Sequence, residues 1–288
     1  MFLNCNQQSA INPILALFLS LSCNITAFAL PANCHSLENN IISSPGCYYL
    51  NENIKGSIAI NSDSVVLDLN EKKLSDPNPG SQNIGIGLSN HSNITVKNGY
   101  LDGFWFAISG SGGRNLNVLN ISFTNTKYIA VNLSGAKINV SRNFIGNMDF
   151  YQPKDKVNYY LVGLNIRDTS GCRILNNVIS APSLPTKELE YRLEYVGLIL
   201  LSESQNCRIQ NNIFSNFQSP LFKSIAVWLA SGTSNNFLGD NLILNYLYGI
   251  TGRLDSYSEN NNLPINVEKP KLNKALETPS YLNHEGAL

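Results

Sequence analysis

A short pattern of apolar, small, apolar residues returns eight times along this chain, centred on Ala59, Gly85, Ala107, Ala130, Gly163, Gly197, Ala226 and Gly249. Eight to ten residues after each of the first seven stands a second column: Leu67, Ile94, Leu116, Ile138, Cys172, Cys207 and the polar Asn236. Two residues further comes a third (Leu69, Val96, Val118, Val140, Ile174, Ile209, Leu238), and five beyond that a fourth (Leu74, Leu101, Phe123, Ile145, Ile179, Phe214, Ile243). A unit of 22 to 35 residues holds too few apolar groups to build its own core. Stacking one unit on the next sets like residues above like at about 4.8 Å per strand and buries a continuous column.

Within each unit the apolar positions alternate with period two, which predicts short strands joined by turns. Helical repeats would need apolar residues at i, i+3, i+4 and i+7, and leucine-rich repeats an L-x-x-L-x-L run; neither occurs. Asparagine follows the third column by two at Asn98, Asn120, Asn176 and Asn211, and by three at Asn143, Asn177, Asn212 and Asn241. Asparagine tolerates left-handed backbone and bonds its neighbours' backbone, so stacked copies predict amide ladders at one corner. With hydrophobics at 43% and aromatics at 9%, the chain has enough apolar material for such a core.

The run Cys34…Gly46-Cys47-Tyr48-Tyr49-Leu50…Ile58-Ala59-Ile60…Val66-Leu67-Asp68-Leu69-Asn70 resembles the N-terminal coil of right-handed β-helix repeat proteins of the pectin-lyase-like superfamily. Steps such as Ile174-Leu175-Asn176-Asn177-Val178-Ile179 are similar to that family's generic coil, and the likeness covers roughly residues 34 to 258. It implies an all-β, right-handed parallel β-helix of seven to eight coils. It does not select a chemistry, because the superfamily includes lyases, hydrolases, epimerases, adhesins and binding proteins.

The expected organisation is a signal peptide over 1–29, an N-terminal cap over 30–57, the β-helix over 58–257 and a C-terminal cap or tail over 258–288. Residues 14–21 are apolar and Ala27-Phe28-Ala29 gives a small-x-small cleavage pattern near Ala29, although the n-region lacks Lys and Arg. That predicts a secreted or periplasmic protein with no membrane span in its mature form. Four cysteines then remain: Cys34 and Cys47 are expected to bridge, and Cys172 and Cys207 to be stacked, buried thiols. Twenty basic and twenty acidic residues cancel, which leaves no positive surplus for nucleic acid. No metal and no cofactor is expected, and the protein is expected to be a monomer.

From the fourth column to the next small residue the spacing runs 11, 6, 7, 18, 18, 12 and 6, so the long insertions leave one corner of neighbouring coils. They span 146–161, 180–195 and 215–224, and insertions on one face of a solenoid commonly build its binding surface. Beside them, alternation is expected to turn the Gly/Ala column outward with Asn132, Asn165, Ile199 and Trp228. Aromatic rings suit the C–H face of a sugar and amides its hydroxyls. Asn132, Asn165, Trp228, Tyr159, Tyr160, Tyr191, Arg192 and Tyr195 are therefore the expected walls and floor of a groove for an extended polysaccharide. On that reading, changing Trp228 or Tyr195 to Ala weakens binding and leaves stability nearly unchanged.

Lyase or hydrolase chemistry is compatible with this groove, but no catalytic residue is assigned. Asp149, Asp155, Glu188, Glu190, Glu194 and Asp168 show no pairing that would separate an acid from a base or nucleophile. Cys207-Arg208-Ile209-Gln210 approaches an Arg-Ile-Lys signature but lacks the lysine. The alternative is a non-enzymatic surface or adhesion solenoid that binds protein partners. A metal-delivery role is disfavoured by three His and two Met.

Overall fold

The computed structural model describes residues 33–78, 81–88, 90–149, 158–180, 192–201, 203–216, 222–252 and 257–272. The chain divides into two compact units, Met1–Cys34 and His35–Leu288. Of the first, only Asn33 and Cys34 are described, so the expected signal segment lies outside the described residues.

The second unit is a right-handed parallel β-helix of three faces. The first face stacks Ile58–Ile60, Ile84–Gly87, the openings of Phe106–Thr124 and Ile129–Ser141, then Asn158–Arg167, Arg192–Leu201, Phe222–Leu229, Tyr248–Gly252 and Lys269–Leu272. The second carries Val65–Asp68, Arg173–Leu175, Arg208–Gln210, Asn236–Gly239 and Tyr257–Asn260; the third carries Lys73–Ser75, Phe144–Ile145, Val178–Ser180, Ile213–Ser215, Leu242–Leu244 and Leu263–Ile265. Ile94–Asp102, Phe106–Thr124 and Ile129–Ser141 run unbroken round one or two corners. Eight coils can be followed among the described residues between Ile58 and Ile265.

Each column of the repeat is a column of the core. Val96, Val118, Val140, Ile174 and Ile209 pair in register and are fully buried, as are Leu101, Phe123, Ile145, Ile179 and Phe214. Burying one such side chain is worth about 1.5–3 kcal/mol. All three corners are left-handed. Ser64, Asn93, Asn115, Lys137, Asn206 and Asn235 hold the first; Asn98, Asn120, Arg142, Asn176, Asn211, Asp240 and Asn261 the second; and Asn125, Asn147, Asn245 and Asn266 the third, all with φ between 49° and 60°. Asparagine visits this region at least cost among residues other than glycine, which explains its abundance.

At the second corner a buried asparagine ladder spans five coils. Asn143, Asn177, Asn212 and Asn241 each donate a side-chain amide and a backbone N–H to the amide oxygen one coil on, ending at Asn262. The same side-chain amides also reach back to the Val118, Val140, Ile174 and Ile209 carbonyls. Asn236, the polar exception in the second column, is buried because its Oδ1 accepts the Cys207 N–H at 2.9 Å.

Four expectations are corrected. The first coil is out of register: Leu67 pairs with Val96, not Ile94, and Ala59 with Gly87, not Gly85. Leu69 therefore occupies the corner, and a side chain on Gly99 would collide with its Cβ. Second, the first part of the 258–288 segment expected as a cap or tail continues the repeat, since Tyr257–Asn260, Leu263–Ile265 and Lys269–Leu272 stack on the preceding coil, while residues 273–288 lie outside the described residues. At the other end, the expected cap contributes Ile41–Ile42, Gly46–Tyr49 and Ile54–Lys55 as a coil in its own right. Third, Cys172 and Cys207 are bridged, with Cα atoms 4.3 Å apart. Stacking in one column brings parallel neighbours close enough for the bond. Cys34 and Cys47, the thiols expected to bridge, are both in disulfides.

Fourth, from Gly85 onward the Gly/Ala column faces the interior. A Cβ on Gly163 would lie 2.9 Å from the Ile179 side chain and 2.6 Å from the Gly197 carbonyl oxygen; one on Gly197 would lie 2.8 Å from Phe214. Strict alternation fails at this residue, so the small side chain makes room for the bulky fourth column across the core.

Candidate functional site

The outward column of the first face begins two residues beyond the small one. Gly87, Ser109, Asn132, Asn165, Ile199, Trp228 and Thr251 pair in register from coil to coil. At its N-terminal end the column is open: a Cβ on Gly87 would meet nothing within 4 Å, and Ser109 is half-buried. From Asn132 onward it is closed, with Asn132, Asn165, Trp228 and Thr251 between 0% and 2% exposed. Closure begins at the coil whose third corner starts the first insertion.

The amides of this column are chained. Asn165 Nδ2 donates to Asn132 Oδ1 at 2.9 Å, and Asn132 Nδ2 to Ser109 Oγ at 3.3 Å. That direction leaves Asn165 Oδ1 buried without a partner. Trp228 Nε1 and Thr251 Oγ1, farther along the same column, are also buried and unpartnered. An acceptor, a donor and a hydroxyl thus lie in one row with their hydrogen-bonding capacity unused. Arg167, two residues beyond Asn165 on the same strand, is buried as well.

The other expected site residues divide differently. Tyr159, Tyr160 and Arg192 lie on strands, because the returning arms of the insertions extend the first face; Tyr159 pairs with Leu193, Tyr160 with Glu194 and Arg192 with Asn158. Tyr191 lies outside the described residues. Tyr195 does not join Trp228. It pairs with Leu161 and Ser224, and its ring stacks on Tyr246 at 6.1 Å and 22°. Both phenols are fully enclosed, and burial pushes both well above the ordinary tyrosine value. They stand close enough to influence each other, yet neither hydroxyl finds a partner in good geometry.

Two expectations about these rings change. Trp228 and Tyr195 are 2% and 0% exposed, so neither is an open platform and truncating either removes core packing. Thr251 and Tyr246 were missed. The two-residue offset that selects Trp228 from Ala226 selects Thr251 from Gly249, so its signal was present in the repeat. Tyr246 follows a left-handed corner and carried none.

Among the described residues, no three His, Cys, Asp or Glu side chains gather as a metal site would require, and no helix is long and apolar enough to cross a membrane. No protein-family model and no curated protein matches the chain. Solved structures with a similar course include a pectin methylesterase variant in complex with a hexasaccharide, at TM-score 0.41 and 10% identity over 84% of this chain and 89% of that one. The catalytic domain of a GH87 alpha-1,3-glucanase in complex with tetrasaccharides aligns at TM-score 0.36 and 12% identity, over 81% of this chain and 57% of that one. PfbA, a surface adhesin of Streptococcus pneumoniae, aligns at TM-score 0.33 and 12% identity, over 83% and 77%.

Proposed function

We propose that this chain is an exported, glycan-binding β-helix whose ligand lies along the outward column of the first face, from Asn132 to Thr251. The observation that supports this is the row of unused hydrogen-bonding groups: Asn165 Oδ1, Trp228 Nε1 and Thr251 Oγ1. A buried polar group left unpaired costs about 1–3 kcal/mol, and such groups call for an explanation. A polysaccharide supplies the missing partners in a row, since each sugar hydroxyl both donates and accepts. One strand per step, about 4.8 Å, makes the column a regular ladder for an extended polymer. These groups are between 0% and 2% exposed, so a ligand that pairs them would be enclosed with them. Four cysteines in disulfides fit an oxidising compartment outside the cytosol.

The test uses variants that remove one polar group and keep most of the packing. Trp228→Phe removes the indole N–H and Thr251→Val the hydroxyl. Titration calorimetry against a panel of neutral and acidic polysaccharides should show affinity for at least one of them, weakened about fivefold or more by each variant. Variants that bind as tightly as the parent chain would remove the column from consideration. If the parent binds none of the panel, the surface-solenoid reading takes its place.

A further inference from the structure

The third face carries an open cleft on the far side of the second corner. Tyr100 and Phe144 both pair with Ser122, one from each side, so two aromatic residues bracket a small polar one in a single outward column. They are 48% and 39% exposed, whereas the other large rings among the described residues are buried or half-buried. The Phe144 ring leans over Gly146, where a Cβ would come within 2.6 Å of it. Beside this column runs the corner column of Glu71, Asn98, Asn120 and Arg142, all left-handed. Asn120 Nδ2 donates to Asn98 Oδ1 at 3.0 Å. Between the two columns lies a cleft of about 190 Å³, with Gly99 and Ile121 also in its lining.

Size and chemistry narrow the occupant. The volume equals about six water molecules at roughly 30 Å³ each and is smaller than the roughly 300–1,000 Å³ of drug-sized pockets. It suits one ring of a larger ligand whose remainder lies outside. The two aromatic Cα positions are about 9.5 Å apart, twice the strand spacing. The C–H groups on a pyranose face suit contact with either aromatic ring, and its hydroxyls suit the polar groups between them. Asn120 and Ser122 offer the amide and hydroxyl that match its hydroxyls. Arg142 is exposed and forms no ion pair among the described residues. Glu71 stands three strands away, about 14 Å, beyond the screening length of about 8–10 Å. The guanidinium charge is therefore available to a ligand anion.

We infer that this cleft seats a single sugar residue bearing a carboxylate, held against Tyr100 and Phe144 and paired through its carboxylate with Arg142. This rests on the glycan reading above but uses a different face and different residues. An Arg–carboxylate pair adds strength and direction that a neutral sugar does not receive.

The experiment measures binding of short glucuronate-containing oligosaccharides, and their neutral glucose counterparts, to the parent chain, Tyr100→Ala, Arg142→Gln, Trp228→Phe and Thr251→Val. Thermal melting confirms that each variant is folded. The expected result is that Arg142→Gln weakens the acidic ligand about tenfold and leaves the neutral one unchanged. Tyr100→Ala should weaken both, and the two first-face variants should leave this binding intact. If Arg142→Gln and Tyr100→Ala both bind like the parent, the cleft is not the site. Loss on Arg142→Gln alone, with Tyr100→Ala unaffected, would show simple charge attraction and overturn the seat. Loss confined to Trp228→Phe and Thr251→Val would place acidic sugars on the first face and overturn this inference while supporting the other reading.

Discussion

Asn177 Nδ2 lies 2.9 Å from Asn212 Oδ1, and that same oxygen also accepts the Asn177 backbone N–H at 2.9 Å. One acceptor thus holds two donors from the coil before it, and the Asn177 oxygen does the same for Asn143. A side chain in this ladder answers for several buried polar groups at once, and replacing it by an apolar residue leaves all of them unpaired.

Asn177→Leu should therefore cost about 2–4 kcal/mol, from more than one stranded group at about 1–3 kcal/mol each. That corresponds to a melting temperature lower by roughly 5–10 °C for a domain of this size. Asn262→Ala, at the half-buried last rung, should cost clearly less. Equal losses at the two positions would show that the ladder is not graded by burial.

Cys172–Cys207 joins residues 35 apart in sequence. In the chain-entropy model, closing a loop of that size stabilises by about 4 kcal/mol. Non-reducing peptide mapping should recover a linked Cys172–Cys207 peptide, and Cys207→Ser should lower the melting temperature. Recovery of both cysteines as free thiols would contradict the bridge.

Trp228→Ala should destabilise the fold by about 3–5 kcal/mol, the usual range for truncating a buried aromatic, while Trp228→Phe keeps most of the packing. Denaturant unfolding of the two variants separates these outcomes. Similar, near-parental midpoints for both would show that the indole is not part of the packed interior.

Asp76 and Lys127 form an enclosed ion pair at 3.3 Å, with side chains 1% and 4% exposed. Burial pushes the Asp76 carboxyl upward, but the Asn78 backbone N–H, the Asn83 amide and Lys127 outweigh it and hold the group below its ordinary value. A carboxyl depressed in the folded state contributes stability above its unfolded value, and that contribution is lost as pH falls through the folded one. Asp76→Asn, which leaves Lys127 buried and unpaired, should cost about 3–5 kcal/mol at neutral pH. It should also flatten the acid limb of a stability–pH profile below about pH 4. A variant with the parental acid limb would show that the pair does not set it.

Much of the architecture was legible because a solenoid writes its core once per coil. Val96, Val118 and Val140 stand at one offset in three successive units, and the Asn143 to Asn241 rungs follow them at a fixed distance. Legibility failed where a coil departs from the average. Two extra residues at the second corner of the first coil put Leu69 where later coils place Gly99 or Ile121, and no spacing within that coil signals the shift. The inward turn of Gly163 and Gly197 was hidden for a related reason: period-two reasoning assumes unbroken alternation, which fails where a small residue faces a bulky one. The groove was legible as a column but not as a surface. Burial of Tyr195 depends on Tyr246 from another coil, which a single strand's pattern does not contain. The Tyr100–Phe144 cleft escaped because its two rings lie 44 positions apart and only the register sets them either side of Ser122.

The asparagine rungs occupy the second corner, whereas the long insertions all leave the third. The rungs repeat at the strand spacing, so a residue added within the second corner would break two donors and an acceptor at once. A residue added at the third corner changes no rung. The scaffold thus keeps its invariant and its variable parts on separate edges. Chain length can change at that corner, outside the paired residues 158–161, 192–195 and 222–224, without retuning the stack, which makes that edge the natural place for lineages, or engineers, to graft new specificities.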